Sequence, residues 1–395
     1  MKYFLKTFGC QQNVADSERI AAYYESRGFE AASSESQADT IVINTCVVRE
    51  RAAEKVFGLI RNLAPLKGKN PELSFVITGC LIGAASREPS GKMMKALRER
   101  LPDVQFLPLE EVGFEYSPKR ATGKLASIPI SNGCNNFCTY CIVPFSRGKE
   151  RSRPFTEIVR EAEEAVRAGR DEILLLGQNV NSYGADFFTD ALGGHAHNSP
   201  LSSSVAGKSA GTVRLPSGRE VKPVMVKHLG RHRIPTLFPE LLDAVAAIPG
   251  VRKLSFISSN PWDFSDDLIA TIARHKNIDR LLHLPVQAGS DAVLKRMNRW
   301  YTRDAYLALI EEIRKCIPEV RFTTDIIVGF PGETLEDFGQ TLDLARRVKF
   351  EKGYIAWYSP RPGTAASKFS DDVPYEEKKR RWKELDEAVN SKKQY

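Results

Sequence analysis

Short apolar runs alternate with amphipathic helical stretches along nearly the whole chain, and this alternation limits the possible folds more than any other feature. In the first 115 residues, Lys2–Thr7, Thr40–Asn44 and Ser74–Thr78 read as strands, and Ala15–Arg27, Arg49–Leu63 and Gly91–Leu101 as helices. That order predicts a small parallel sheet of flavodoxin-like α/β type. From residue 126 the pattern restarts, with strands expected at Ala126–Ile130, Glu172–Leu176, Lys253–Ile257, Arg280–Leu284, Thr323–Val328 and Gly353–Trp357. Helices fall between them, for instance Phe155–Ala168, Leu237–Ala247, Asp304–Lys315 and Leu335–Val348. Six βα units predict a partial, open (β/α)6 version of the eight-stranded barrel. The plan is an α/β domain at 1–115, a linker at 116–125, a barrel at 126–367 and a helical tail at 368–395.

Six of the seven cysteines fall where such folds place chemistry. Cys134, Cys138 and Cys141 form a C-x3-C-x2-C loop after the first barrel strand. A structural zinc site needs four closed ligands, and this loop supplies three. Three thiolates on a short loop suit three irons of a [4Fe–4S] cube, leaving the fourth iron open to a substrate or cofactor. Cys10, Cys46 and Cys80 each follow one of the three N-terminal strands. Ligands of open α/β sheets bind at that carboxyl edge. The three are therefore expected to converge on a second metal cluster. The alternative is three small core residues, but core cysteines belong inside strands rather than at three equivalent strand ends.

Other barrel strand ends carry polar or backbone-exposing residues. Gln178, Asn179 and Gln287 are placed to hydrogen-bond an adenosine or ribose, Ser258 opens the third strand end, and Gly329 and Gly332 let a ligand approach the backbone. Arg147, Lys149, Arg151 and Arg153 alternate with small or polar residues directly after the cysteine loop and read as a phosphate-contact strip. Residues 186–234 break the pattern as a Gly-, Ser- and His-rich insertion, with a hairpin expected around Ser217-Gly218. Its His195, His197, His228 and His232 have a spacing that metal sites use, although such spacing arises easily by accident in a long loop.

Bulk properties exclude several classes. An odd count of seven cysteines in 395 residues is no disulfide framework. The N-terminus lacks a signal-peptide pattern, and no apolar run approaches the roughly 18 residues that span a bilayer. A cytoplasmic protein with reduced thiols is expected. The net charge of +8 permits a polyanionic partner such as RNA.

Together these residues resemble the methylthiotransferases, a branch of the radical S-adenosylmethionine (SAM) enzymes, over nearly the whole chain. Beside the C-x3-C-x2-C loop, the resemblance rests on Phe8-Gly9-Cys10-Gln11-Gln12-Asn13 with Asp16-Ser17-Glu18, on Asn44-Thr45-Cys46 with Arg49-Glu50, and on Thr78-Gly79-Cys80. It extends to Leu176-Gly177-Gln178-Asn179-Val180-Asn181-Ser182-Tyr183-Gly184, His283-Leu284-Pro285-Val286-Gln287 and Thr324-Asp325-Ile326-Ile327-Val328-Gly329-Phe330-Pro331-Gly332-Glu333. The stretch from Leu176 is most similar to the members acting on isopentenylated adenosine beside the tRNA anticodon.

The resemblance implies a radical SAM barrel whose cluster is held by Cys134, Cys138 and Cys141, and an auxiliary [4Fe–4S] cluster held by Cys10, Cys46 and Cys80. It implies SAM contacts from Tyr140, Gln178, Asn179, Ser258, Gln287 and Gly329. In the implied reaction one SAM methylates a sulfur on the auxiliary cluster. A second yields a radical that removes hydrogen from C2 of the adenosine, and the methylthio group is transferred there. The implied partners are a tRNA anticodon stem-loop and a reducing electron donor, with the chain a monomer. Departures are Gln12 in place of a usual methionine, Asn260 in place of a common histidine, the long insertion, and an end at Tyr395 where the family continues into a small RNA-binding β-barrel. Two other readings stand beside this one: a sibling enzyme acting on threonylcarbamoyl-adenosine tRNA or a ribosomal protein, and a non-catalytic iron–sulfur RNA-binding protein. A zinc scaffold is weakest, because neither trio has an evident fourth ligand.

Overall fold

The computed structural model describes residues 1–47, 50–114, 116–120, 123–187, 213–214, 220–221, 224–226, 231–233 and 236–391. It contains two compact units. The first is Met1–Gly123 with Asn132–Cys134 and Ile142–Lys149; the second is Lys124–Ser131, Asn135–Cys141 and Glu150–Tyr395.

The first unit is built on strands β1 (Lys2–Thr7), β2 (Glu30–Ala31), β3 (Thr40–Thr45), β4 (Ser74–Gly79) and β5 (Val104–Leu107). They lie in the order β2-β1-β3-β4-β5, all parallel. This is the doubly wound order of flavodoxin-like folds, whose topological switch point lies between β1 and β3. The helices are α1 (Gln11–Glu25), α2 (Glu50–Leu63), α3 (Cys80–Arg87), α4 (Lys92–Arg100) and the short α5 (Leu109–Val112). A further turn of helix, α6 (Val143–Ser146), also belongs to this unit. Strand alternation explains the two faces. Ile41, Ile43, Phe75 and Ile77 pack with Val56, Phe57, Leu81 and Leu97 on one side. Val42 and Val76 pack with Tyr3, Ile20 and Tyr24 on the other. With both faces covered, central strands read as unbroken apolar runs.

The second unit carries β6 (Leu125–Pro129), β9 (Glu172–Leu176) and β14 (Lys253–Phe256) as one parallel run, and β15 (Leu281–His283), β16 (Arg321–Val328) and β17 (Lys352–Trp357) as another. An isolated parallel bridge between Leu254 and Ile278 links β14 to the segment entering β15. Short strands β7 (Ser131–Asn132) and β8 (Arg151–Ser152) flank the cysteine loop. Within the insertion, β10 (Val213–Arg214) pairs antiparallel with β11 (Glu220–Val221), and β12 (Val224–Val226) with β13 (Arg231–Arg233). His232 lies in β13, whereas His195, His197 and His228 lie outside the described residues.

Helices α7 (Phe155–Arg167), α8 (Phe238–Ala246), α9 (Asp266–Arg274), α10 (Asp291–Arg296), α11 (Arg303–Cys316), α12 (Leu335–Val348) and α13 (Tyr375–Asn390) complete the unit. Ser265, Ser290, Thr302 and Thr334 cap α9 to α12, each accepting a backbone N–H of the first turn. A cap of this kind stabilises by about 1 kcal/mol. Alternate strand residues Ile128, Ile173, Leu254, Leu282, Phe322 and Ile326 pack against the helices in one continuous core. The opposite face carries Ser127, Ser255, His283, Thr323 and Asp325, so the side turned away from the helices is largely polar.

Candidate active site

In the first unit the sheet order brings Cys10 and Cys46 to the two sides of the β1/β3 switch point, with Cys80 at the end of neighbouring β4. Cys10 caps α1 and is exposed, while Cys46 and Cys80 are buried. The buried amide of Asn13 bridges Cys10 and Cys80. Its Oδ1 accepts from the Cys10 thiol at 3.4 Å, and its Nδ2 points at Cys80 Sγ at 3.9 Å. Asn13 is fixed from below by Asn44, whose Nδ2 donates to the Asn13 carbonyl at 2.8 Å and to Ser17 Oγ at 2.9 Å. Cys80 is brought in by Gly79, whose φ of +94° is open to glycine and strained for other residues. A Cβ there would lie 2.4 Å from both Asn44 Oδ1 and the Thr45 carbonyl.

The hydrogen bond between Cys46 and Cys80, together with burial, holds the Cys80 thiol well above its ordinary range, while Arg147 pulls it down. Ligation requires the thiolate, so metal loading here releases protons. Among the described residues, no trio of His, Cys, Asp or Glu forms a single-ion cage. A cube whose irons each take a different thiolate holds its ligands further apart than one ion does. Three thiols at three strand ends fit that donor set, and all three are free of disulfides.

The C-x3-C-x2-C loop is held from several sides. The Cys134 N–H donates to the Gly148 carbonyl at 3.1 Å. The Thr139 N–H and Oγ1 donate to the carbonyls of Met297 (3.1 Å) and Arg296 (2.9 Å), and Asn298 Nδ2 donates to the Phe137 carbonyl at 3.0 Å. Arg299 Nη1 reaches Cys138 Sγ at 3.5 Å. Both Phe137 (φ +47°) and Asn298 (φ +58°) sit in the left-handed region, which Asn tolerates and which strains Phe137. Tyr140 is half-buried against the apolar cluster that contains Met297, Phe330 and Tyr358.

The rim beyond β6, β9 and β14 has a polar character that the fold alone does not explain. Ser131 Oγ, Gln178 Oε1, Asn179 Oδ1, Asn181 Oδ1, Ser259 Oγ and Asn260 Oδ1 are all buried without a hydrogen-bond partner. Each such group costs about 1–3 kcal/mol unless a ligand satisfies it. A bound nucleoside or amino acid rich in donors fits that demand, so the residues present suit SAM. Asn179 is oriented by Asp263, with Nδ2 to Oδ2 at 2.9 Å. Ser258 (φ +68°) and Gln287 (φ +69°) are both held left-handed, as strained residues at ligand sites often are. Gly329 differs from expectation. Its N–H is taken by Glu333 at 2.6 Å, and a Cβ on it would lie 2.4 Å from Lys378 Cγ, so the close neighbour at its Cα is helix α13.

The expected cationic strip separates into two pairs. Lys149 and Arg151 are exposed. Arg147 is buried, with Nη2 on Asp16 at 2.6 Å and Nη1 on Asn132 Oδ1 at 3.0 Å. Arg153 is buried against Glu161 (2.7 Å) and the Pro129 carbonyl (2.8 Å). Arg147 and Arg153 are thus internal ion-pair partners and do not present a charge to RNA. Asp16 and Arg299 escaped sequence reasoning as site residues; nothing in their local sequence marks a contact 131 or 161 residues away.

The Radical SAM superfamily model matches residues 128–345, and that of the Uncharacterized protein family UPF0004 matches residues 2–97. Among solved structures, the radical S-adenosylmethionine methyltransferase TsrM from Kitasatospora setae superposes with a TM-score of 0.58 at 13% identity, covering 93% of this chain and 77% of that one. That likeness speaks to the fold. Fold, cysteine loop and family match together define a radical SAM enzyme. The tRNA-2-methylthio-N(6)-dimethylallyladenosine synthase of Carboxydothermus hydrogenoformans is 41% identical over 98% of this chain and 83% of its own length. The synthase of the same name from Syntrophomonas wolfei is 38% identical over 98% of this chain and 81% of its own. The chain belongs to the radical SAM superfamily and, within it, to the family of these synthases.

Proposed function

We propose that this chain inserts a methylthio group at C2 of N6-isopentenyladenosine next to the anticodon of tRNA, with SAM and two [4Fe–4S] clusters as cofactors. One observation carries the reading: two separate three-cysteine sets stand at the carboxyl ends of parallel strands, in a chain 41% identical to a synthase of that reaction. Cys134, Cys138 and Cys141 would hold the cluster that binds SAM, and Cys10, Cys46 and Cys80 the auxiliary cluster. When bound, these groups supply a 5′-deoxyadenosyl radical and the sulfur. The chain's own residues position and enclose. Asn13 sets the spacing of the auxiliary thiols, the 296–299 segment fixes the SAM-side loop, and Gln178, Asn179, Asn181, Ser259 and Asn260 offer acceptors to a bound nucleoside. An aromatic C2–H has no useful acidity, so a side-chain base would contribute little and geometry contributes most.

Lys149 and Arg151 are the exposed cations offered to the tRNA phosphates. An external one-electron donor, a monomeric state and a cytoplasmic location complete the proposal; among the described residues no helix is long and apolar enough to cross a membrane. The test is nucleoside mass spectrometry on tRNA from cells lacking the modification, with this chain expressed in them. Methylthiolated isopentenyladenosine is expected. A methylthio group appearing instead on threonylcarbamoyl-adenosine or a ribosomal protein would reassign the substrate. Cluster and RNA binding with no SAM cleavage would reduce the chain to a non-catalytic binder.

A further inference from the structure

Arg299 is a cation in contact with Cys138 of the C-x3-C-x2-C loop, and every branch of its guanidinium is placed. Nε donates to Tyr301 Oη at 3.0 Å, Nη2 to the Pro285 carbonyl at 3.2 Å and Nη1 to Cys138 Sγ at 3.5 Å. Tyr301 is itself anchored by donating to the Val286 carbonyl at 2.7 Å. The guanidinium carbon lies 4.8 Å from the ring centroid of Trp262 and 5.1 Å from that of Tyr301. Among the described residues no carboxylate lies within ion-pair distance of Arg299. A half-buried cation held by two rings, two oxygens and one thiol has no carboxylate partner among the described residues, and its Nη1 branch is directed at Cys138.

We propose that Arg299 is a positioning residue that supplies the counter-charge to the iron–sulfur cluster on Cys138 and raises its reduction potential. The proposal rests on Cys134, Cys138 and Cys141 being ligands of that cluster. Reduction adds one electron, and so one negative charge, to the cluster, with no bond made or broken. A fixed cation beside a ligand sulfur stabilises the reduced state more than the oxidised one. Hydrogen bonds and charge at the sulfurs are established levers on such potentials. The rings and carbonyls matter because they stop the guanidinium from swinging into solvent. Lysine, a flexible point charge, keeps the cation and loses the planar fork.

The experiment is a dithionite-poised redox titration of the reconstituted full-length protein, followed by electron paramagnetic resonance. The component that changes on adding SAM reports the cluster with the open iron. In R299Q the reduced-to-oxidised ratio at fixed potential is expected to fall about tenfold, equivalent to about 59 mV for a one-electron couple. R299K is expected to lie between R299Q and the unaltered protein. A SAM-responsive signal in R299Q with an unshifted midpoint would overturn the proposal. Should R299Q be folded by circular dichroism yet hold no SAM-responsive cluster, retention of that cluster in R299K supports the charge role. Equal loss in both would assign Arg299 to packing alone. Absence of a SAM-responsive signal in the unaltered protein would be a different failure, that of the cluster assignment itself, and would take this proposal with it.

Discussion

At the scale of single residues, the most consequential contact in the first unit is the buried pair of Arg147 and Asp16. Their side chains are 4% and 11% exposed, and removing one partner leaves an uncompensated charge beside Cys10 and Cys80. Arg147→Leu is expected to cost about 3–5 kcal/mol in chemical denaturation and to deplete auxiliary iron. Cys46→Ala is expected to leave SAM cleavage intact while methylthiolated product disappears; full product formation in that variant would remove the auxiliary site from the mechanism. The role of Arg147 was not legible in the sequence. Every-second-residue spacing from Arg147 to Arg153 implies one strand with its cations on one side. In the structure Arg147 instead ends helical turn α6 and β8 is only two residues long, so no common face exists. The placement of the cysteines past strand ends was legible because strand ends are set by local patterning, whereas an ion pair across 131 residues has no local signature.

Among the elements, α3 and α13 show how helices tie down a site. Strand β4 runs straight into α3 through Gly79, so Cys80 begins the helix. Gly79→Ala would drive a Cβ into the Thr45 carbonyl, and its expected outcome is loss of auxiliary iron with the barrel cluster retained. The sequence hid α3: the run after Cys80 has no N-cap side chain, and Gly83 interrupts its apolar pattern. Helix α13 covers edge strand β17. Trp382 Nε1 donates to the Ile355 carbonyl at 2.8 Å, and the Asn390 amide bonds both the N–H and the carbonyl of Gly353. Arg381 meets the fully buried Glu333 at 2.7 Å, and the same carboxylate holds the N–H of Gly329. Arg381→Ala is expected to cost about 3–5 kcal/mol, read as a lower urea midpoint. The tail was expected to be helical; its function as the cover for β17 and Gly329 depends on side-chain contacts that spacing does not encode.

Across the whole molecule, two parallel α/β units apply one physical rule, in which strand ends gather groups that are distant in sequence. The six barrel strands were readable because each is a short run with apolar residues at alternate or successive positions, and the carboxyl ends of β6, β9 and β14 lead to the buried polar atoms that lack partners. The insertion at 186–234 has no such periodicity, and sequence patterning places little within it beyond the hairpin expectation, where β10 and β11 do pair. The central claim is that the two cysteine sets hold two clusters and that one of them cleaves SAM. Anaerobic reconstitution, with iron and sulfide counted per chain and 5′-deoxyadenosine measured after adding SAM and reductant, tests it most directly. About eight irons per chain, matching two cubes, together with 5′-deoxyadenosine are the predicted result. About four irons would leave Cys10, Cys46 and Cys80 as ordinary buried thiols and contradict sulfur insertion as the function.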